Sequence, residues 1–357
     1  MKHILFLFPG ASHQPAGGNK VVYEYANRFI NDGYNITIVL TASTFFKEQT
    51  FLLKIKSILR YLYFKFIKSY KPYNWFALNK QVKIKYVFSL EESNIPHADI
   101  YVATSWHTAV YLNSYNLSPT QKRIYFIQHF EDWSGPYEKV KETWLYPLEK
   151  IVIAPWLQEI GNNFGVKTHI VENGFNFELF KCLKKQEDRN PFTVAMLYHS
   201  LKIKGCEEGI AALSLLKEKY PHLQVTLFGV PKRPVNLPIW MNYYQQPNQQ
   251  KLNSIYNENA LFLGTSHSEG WGLTIGEAMI CGAAIVATDN PGYRIMAKHE
   301  QTALLCPIGN INEMVNALSR LINDNKLRYE LAIAGQRYIQ QFTWERAYNK
   351  FKIVLDS

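Results

Sequence analysis

His267-Ser268-Glu269-Gly270-Trp271-Gly272-Leu273-Thr274-Ile275-Gly276-Glu277 sets two carboxylates eight residues apart across a glycine-punctuated turn. An apolar run, residues 260–264, leads into the turn, and a helical stretch, 274–282, leads out to a second apolar run at 283–288. The order strand, turn, helix, strand is a βαβ unit, with its acids at the carboxyl end of the first strand. Parallel α/β sheets bind ligands at that end. The amides opening the helix favour anions there. The segment therefore offers a seat for phosphate and two carboxylates able to accept hydrogen bonds from hydroxyls. A sugar nucleotide carries both groups.

Outward from this block the pattern continues. Glu269, seven intervening residues and Glu277, within Ser-Glu-Gly-Trp-Gly-Leu-Thr-Ile-Gly-Glu-Ala-Met-Ile-Cys-Gly-Ala-Ala-Ile-Val-Ala-Thr, resemble the signature of retaining glycosyltransferase family 4, whose fold is GT-B. Asn173-Gly174 with Phe180 following resembles the family's segment at the domain junction, Lys204-Gly205 its phosphate-binding pair, and Asn290-Pro291-Gly292 the turn after its next strand. The resemblance covers residues 192–342 strongly and the amino half loosely.

The resemblance implies roles. Glu277 would accept hydrogen bonds from the nucleotide ribose, since two carboxylate oxygens suit a vicinal diol. Glu269 would hold donor-sugar hydroxyls and stabilise positive charge at the anomeric carbon. The amides of Gly270, Trp271, Gly272, Leu273 and Thr274 would meet the diphosphate and sugar. Lys204 would neutralise the leaving diphosphate. The family usually has an arginine five residues before this lysine. Here that position is His199, which as a neutral imidazole weakens the clamp, with Lys202 nearby as a substitute. Gly17 and Gly18 are expected in the first strand-to-helix loop, facing the cleft. His129, after a strand, matches by position a histidine near the donor sugar. His107 is the second candidate, on the acceptor side, with Glu131 and Asp132 beside the same region. Asn173 and Gly174 shape the hinge. No Asp-x-Asp occurs, so no metal and no cofactor is expected; amides and Lys204 carry the charge instead.

The 357 residues allow two or three domains, each large enough for a core. Cys182, Cys206, Cys281 and Cys306 form no CxxC pair, and Cys281 and Cys306 sit in apolar settings, as expected in a reducing cytosol. Lys2 precedes only a short apolar run, 4–8, broken by Pro9-Gly10; it reads as a first strand rather than a secretory signal.

In the amino half, strands are expected at 4–8, 35–40, 99–103 and 123–128, with a helix over 20–31. In the carboxyl half, strands are expected at 192–198, 224–228, 260–264, 283–288 and 302–306, with helices over 206–220 and 311–322. The expected fold is α/β: GT-B, two doubly wound Rossmann-like domains facing a central cleft. The domains would be 1–172 on the acceptor side and 191–340 for the donor nucleotide. A hinge at 173–190 includes a polar linker at 181–190, and a last helix over 341–357 crosses back to the first domain.

Charge is concentrated. Between Lys47 and Lys85 stand ten Lys or Arg and one acid, Glu48, a net +9 of the chain's +10. On a helical wheel Phe51, Ile55, Ile58, Leu59, Leu62 and Phe66 share a face. Lys47, Lys54, Lys65 and Lys68 flank one shoulder, Lys56 and Arg60 the other. Such a helix suits an anionic membrane surface, each cation contributing roughly 1 kcal/mol. The other reading is a core helix with solvated lysines. No nucleic-acid module accompanies the basic block, so nucleic acid is not expected as a partner.

These features lead to a retaining, metal-independent hexosyltransferase. It would move a sugar from a nucleotide-sugar donor to a lipid-linked or other saccharide in cell-envelope polysaccharide synthesis, as a cytoplasmic protein peripheral to the inner face of the plasma membrane. The front-face route, in which the leaving phosphate takes the acceptor proton, is what the resemblance implies. A GT-B sugar-nucleotide epimerase and a non-catalytic membrane-associated subunit are the alternatives.

Overall fold

The structure is a computed structural model that describes residues 1–11, 14–45 and 48–357. Lys47 lies outside the described residues. The chain divides into two compact units, one of Met1–Glu172 with Glu345–Ser357 and one of Asn173–Trp344.

Unit 1 alternates β1 (His3–Phe8), α1 (Gly17–Asn31), β2 (Asn35–Thr41), α2 (Phe51–Ile67), β3 (Lys83–Val87), β4 (Ile100–Ala103), α3 (Trp106–Ser114), β5 (Lys122–Ile127), α4 (Tyr137–Leu145), β6 (Glu149–Val152), α5 (Pro155–Asn163) and β7 (Thr168–Ile170). The strands form one sheet in the order β3-β2-β1-β4-β5-β6-β7. Every pairing is parallel; Leu7, for instance, faces Val39 on one side and Ala103 on the other. Helices cover both faces of such a sheet, so its central strands read as continuous apolar runs. β1 buries Ile4 through Phe8 completely or nearly so.

The last helix, α11 (Trp344–Asp356), places all but its first residue in unit 1. Its Phe351 ring packs against Tyr25 at 4.6 Å and Phe126 at 5.3 Å. Arg346 and Lys350 both pair with Glu172, at 3.2 and 2.9 Å.

Unit 2 runs β8 (Thr193–Tyr198), α6 (Cys206–Lys219), β9 (Gln224–Gly229), β10 (Met241–Gln245), α7 (Gln249–Glu258), β11 (Leu261–Gly264), α8 (Leu273–Ile280), β12 (Ala284–Thr288), β13 (Leu304–Cys306), α9 (Ile311–Asn323) and α10 (Asn325–Ile339). Its sheet is also wholly parallel, in the order β10-β9-β8-β11-β12-β13. Val194, Met196, Leu227, Leu261, Val286 and Leu318 belong to its core. Asn173-Gly174 opens the unit. A side chain at Gly174 would overlap the Trp344 backbone, where the chain leaves it.

Three expectations need correction. Gly17 and Gly18 are not loop residues; they are the first two residues of α1, where amides need no intrahelical partner. The polar stretch 181–190 is not a free linker. Arg189 is buried and donates to the carbonyls of Tyr256, Asn259 and Cys281, and Gln186 donates to that of Ala260, so the segment is part of unit 2. Within the basic block 47–85 the amphipathic helix is α2, and Lys83 and Lys85 belong to β3, an edge strand of the sheet. Lysines there discourage edge-to-edge pairing. The core-helix reading of α2 also fails, since none of its residues is buried. Of the four cysteines, Cys206, Cys281 and Cys306 are buried and Cys182 is exposed.

Candidate functional site

In unit 2 the chain lays β8, β9 and β10 outward in one direction, then returns to place β11 on the other side of β8. That reversal leaves a crevice at the carboxyl ends of β8 and β11. His199 and Lys204 follow β8; Ser266 and Glu269 follow β11.

The two loops interlock. Thr265 Oγ1 donates to the Lys204 carbonyl at 2.7 Å, and the His267 amide donates to the Ile203 carbonyl at 2.8 Å. Gly205 caps the first loop at φ +58, and a Cβ there would overlap the Thr265 carbonyl. Only glycine meets both demands cheaply. His267 Nε2 and Glu208 Oε1 close the same junction at 3.0 Å. The sequence reading assigned no role to this pair, and no local pattern marks it.

At the centre Glu269 Oε1 accepts from Lys204 Nζ at 2.7 Å and from Ser266 Oγ at 2.6 Å. The lysine and glutamate side chains are only 24% and 16% exposed, so solvent screens their attraction less than on an open surface. The Ser266 carbonyl accepts from Thr288 Oγ1 and from Asn290 Nδ2, and Asn290 Oδ1 accepts from the Tyr293 amide at 3.0 Å. Asn290 is thus a buried strut under the turn. Gly292 lies against the backbone of Glu269, where a side chain would overlap its carbonyl.

Gly272, at φ +88, begins α8. The first backbone bond of that helix runs from the Gly276 amide to the Gly272 carbonyl at 3.2 Å. The amides of Leu273 and Thr274 therefore belong to the open end. Trp271 is buried: its ring packs edge-on against Phe342 at 5.2 Å, and its indole N–H has no partner among the described residues. It anchors the turn.

Glu277 is 5% exposed, and its Oε2 accepts from the Tyr256 hydroxyl at 3.0 Å. Burial and the neighbouring carboxylate hold that phenol well above its ordinary range, so it stays a donor. This is not a solvated helix acid. His199 Nδ1 accepts from the Leu201 amide at 3.0 Å. Burial, then the Lys204 cation, push its imidazole below the usual range, so His199 is neutral at pH 7 and supplies no arginine-like charge. Lys202 is exposed at the start of the same turn.

Unit 1 holds the remaining candidates. Gln128 donates to the Gly18 carbonyl at 3.2 Å, tying the start of α1 to the end of β5. His129 follows, its Nδ1 accepting from the Glu131 amide at 3.1 Å and its ring edge-on to Trp156 at 5.5 Å. Glu131 sits at φ +63, rare for a residue with a side chain. Its Oε2 accepts from the Trp106 amide at 2.8 Å, and burial nevertheless raises its carboxyl to about 7. The His107 ring lies tilted against Trp106, centroid distance 3.9 Å, and against Phe45, 5.4 Å. Burial pushes it down to about 4, so it is a neutral ring in an aromatic cluster. Asp132 is exposed and joins neither group.

Residues 181–338 match the sequence profile of glycosyl transferases group 1. The chain is 25% identical over 171 residues to an uncharacterized glycosyltransferase of Haemophilus influenzae, a match covering 46% of this chain and 48% of that one. It is 22% identical over 202 residues to the capsular polysaccharide biosynthesis glycosyltransferase CapM of Staphylococcus aureus, covering 50% and 53%. The chain thus spans about half the length of these curated relatives. The solved structure of Anabaena HepE in complex with UDP-glucose superposes over 100% of both chains with a TM-score of 0.74 at 16% identity. That likeness concerns the fold, which is GT-B.

Proposed function

We propose that this protein is a retaining, metal-independent glycosyltransferase that takes a sugar from a nucleotide-sugar donor. One observation carries the reading: Lys204, Ser266 and Glu269 converge at the switch point of the unit 2 sheet, beside the opening amides of α8. A diphosphate entering there meets a cation and helix amides. A sugar attached to it meets a carboxylate that can accept from its hydroxyls and stabilise an electron-poor anomeric carbon. Glu277, within α8, takes the ribose hydroxyls. Lys204 stabilises the leaving diphosphate, whose oxygen accepts the proton of the incoming hydroxyl on the face it departs from.

Of the unit 1 residues, His129 is assigned to the donor sugar and the region of His107 and Glu131 to the acceptor. HepE was crystallised with UDP-glucose, and CapM is named for capsular polysaccharide biosynthesis. By that likeness the acceptor is a saccharide of the cell envelope. A lipid-linked one suits the exposed, basic and apolar α2, and so does a peripheral position on the cytoplasmic membrane face. Among the described residues no helix is long and apolar enough to cross a membrane.

The test is a panel of nucleoside diphosphate sugars read by melting temperature, followed by incubation with and without membrane-extracted saccharide lipids. Sugar transfer that requires the acceptor supports the reading. Conversion of the donor alone makes the protein an epimerase, and no response to any nucleotide makes it a non-catalytic subunit.

A further inference from the structure

Among the described residues, α2 carries the largest run of apolar side chains left in water. Phe66 is 86% exposed, Leu52 77%, Phe51 76% and Leu59 62%, and no residue of the helix is buried. Isolated exposed apolar residues need no explanation, but a contiguous set marks an interaction surface.

The orientation of the helix is informative. The half-buried positions are Lys54, Ser57, Tyr61 and Phe64, spaced three or four apart. They form the row that faces unit 1. Tyr61 rests on Tyr86 of β3 at 5.4 Å and on Phe88 at 5.6 Å, and Ser57 Oγ donates to Gln49 Oε1 at 2.9 Å. The opposite side of the wheel carries Leu52, Ile55, Leu59, Leu62 and Phe66. A surface helix ordinarily turns its apolar stripe inward. This one uses a polar and aromatic row to hold on and presents its aliphatic arc outward.

Cations bracket that arc. Lys56 and Arg60 lie along one border and Lys65 along the other, and the helix contains no acid. Two are set on aromatic faces, Arg60 over Phe64 at 5.7 Å and Lys65 over Tyr61 at 5.0 Å, which keeps them at the borders. The helix is about 25 Å long at 1.5 Å per residue. An apolar arc bordered by cations on both sides is what an in-plane interfacial helix requires. Its aliphatic residues enter the acyl boundary, and its cations meet phosphate headgroups. A second copy of this chain docked face to face would set lysines against lysines.

We infer that α2 is an in-plane anchor for an anionic glycerophospholipid bilayer, with Leu52, Ile55, Leu59, Leu62 and Phe66 inserted and Lys56, Arg60 and Lys65 on the headgroup phosphates. The inference deepens the proposed membrane-associated role and rests on it for its purpose, but it requires no sugar transfer.

The test is sedimentation of the full chain with vesicles of phosphatidylglycerol and phosphatidylcholine, against phosphatidylcholine alone. Wild type is expected to pellet with the anionic vesicles only. Leu59→Glu with Phe66→Glu should abolish pelleting, because both side chains point into solvent and their replacement leaves the fold intact by circular dichroism. Each of Lys56→Ala, Arg60→Ala and Lys65→Ala should cost about fivefold in vesicle affinity. Binding of inorganic pyrophosphate, a probe of the Lys204 site, should be unchanged in all of them. Failure of the glycosyltransferase reading would appear in the pyrophosphate arm with vesicle binding retained. Three results overturn the anchor: wild type that stays in the supernatant, a Leu59→Glu/Phe66→Glu protein that still pellets, or a wild-type dimer that the double substitution dissolves.

Discussion

Lys204 Nζ rests 2.7 Å from Glu269 Oε1, so the cation and the acid at the mouth of the unit 2 crevice satisfy each other. On the proposed function, a diphosphate arriving there would compete with Glu269 for the ammonium, and its sugar with Lys204 for the carboxylate. The two exchanges would be coupled: drawing Lys204 toward phosphate would release Glu269 toward sugar. Lys204→Ala removes a charge-assisted contact and should weaken nucleoside diphosphate binding about 10- to 100-fold. Glu269→Gln keeps the shape but releases the cation. It should bind a nucleoside diphosphate at least as tightly as wild type while transferring sugar poorly. Calorimetry on the two variants checks both, and a Glu269→Gln protein that loses nucleotide binding contradicts the coupling.

Glu277→Ala should raise the donor KM or abolish transfer. It also strands the buried Tyr256 hydroxyl, a loss of about 1–3 kcal/mol in stability. Tyr256→Phe separates the two effects. It removes the same hydrogen bond, lowers the melting temperature and leaves the carboxylate for the ribose. Steady-state kinetics beside thermal melts decides this; equal kinetic damage in both variants would mean that Glu277 acts only through packing.

Glu131 and His107 give stability opposite pH slopes. Burial raises Glu131 to about 7, so between its unfolded value near 4.5 and pH 7 the unfolded chain releases this proton first, and stability falls as pH rises. Burial lowers His107 to about 4, so between pH 6.5 and 4 the unfolded chain takes up a proton first, and stability falls as pH drops. Each contributes on the order of a few kcal/mol across its window. Denaturant titrations at several pH values should show Glu131→Gln removing the first slope. His107→Phe, which keeps the aromatic cluster with Trp106 and Phe45, should remove the second.

Gly292→Ala places a methyl against the Glu269 carbonyl and forces the turn to move. Transfer should fall at least tenfold with a melting loss of only a few degrees, since displacements of about 1 Å at reacting groups cost about 100-fold. Unchanged kinetics would show that the turn has slack.

The βαβ block around Glu269 was legible because its signals are local: short apolar runs, glycines at the bends, acids where none is needed for packing. Both sheets were anticipated through their apolar central strands such as 4–8 and 260–264. The strands that escaped were the edges and short pieces. Lys83–Val87 and Met241–Gln245 are partly exposed edge strands, and polar residues, lysines in the first and amides in the second, interrupt their apolar pattern. Gly17 and Gly18 read as a loop where the backbone can approach a ligand, yet a helix's first turn tolerates glycine too. The segment 181–190 resembled a linker by composition. Only tertiary structure turns Arg189 toward three carbonyls. The same holds for Tyr256 of α7 on Glu277 of α8, and for His267 on Glu208, which the parallel pairing of β8 and β11 brings together; no spacing records either pair.

The most direct measurement is a crystal structure of the protein with a nucleoside diphosphate sugar bound. The account predicts the diphosphate on Lys204 Nζ and the amides of Leu273 and Thr274, the ribose diol on Glu277, and Glu269 turned from the lysine to a sugar hydroxyl. A nucleotide seated elsewhere, with the Lys204–Glu269 pair still closed, would contradict it.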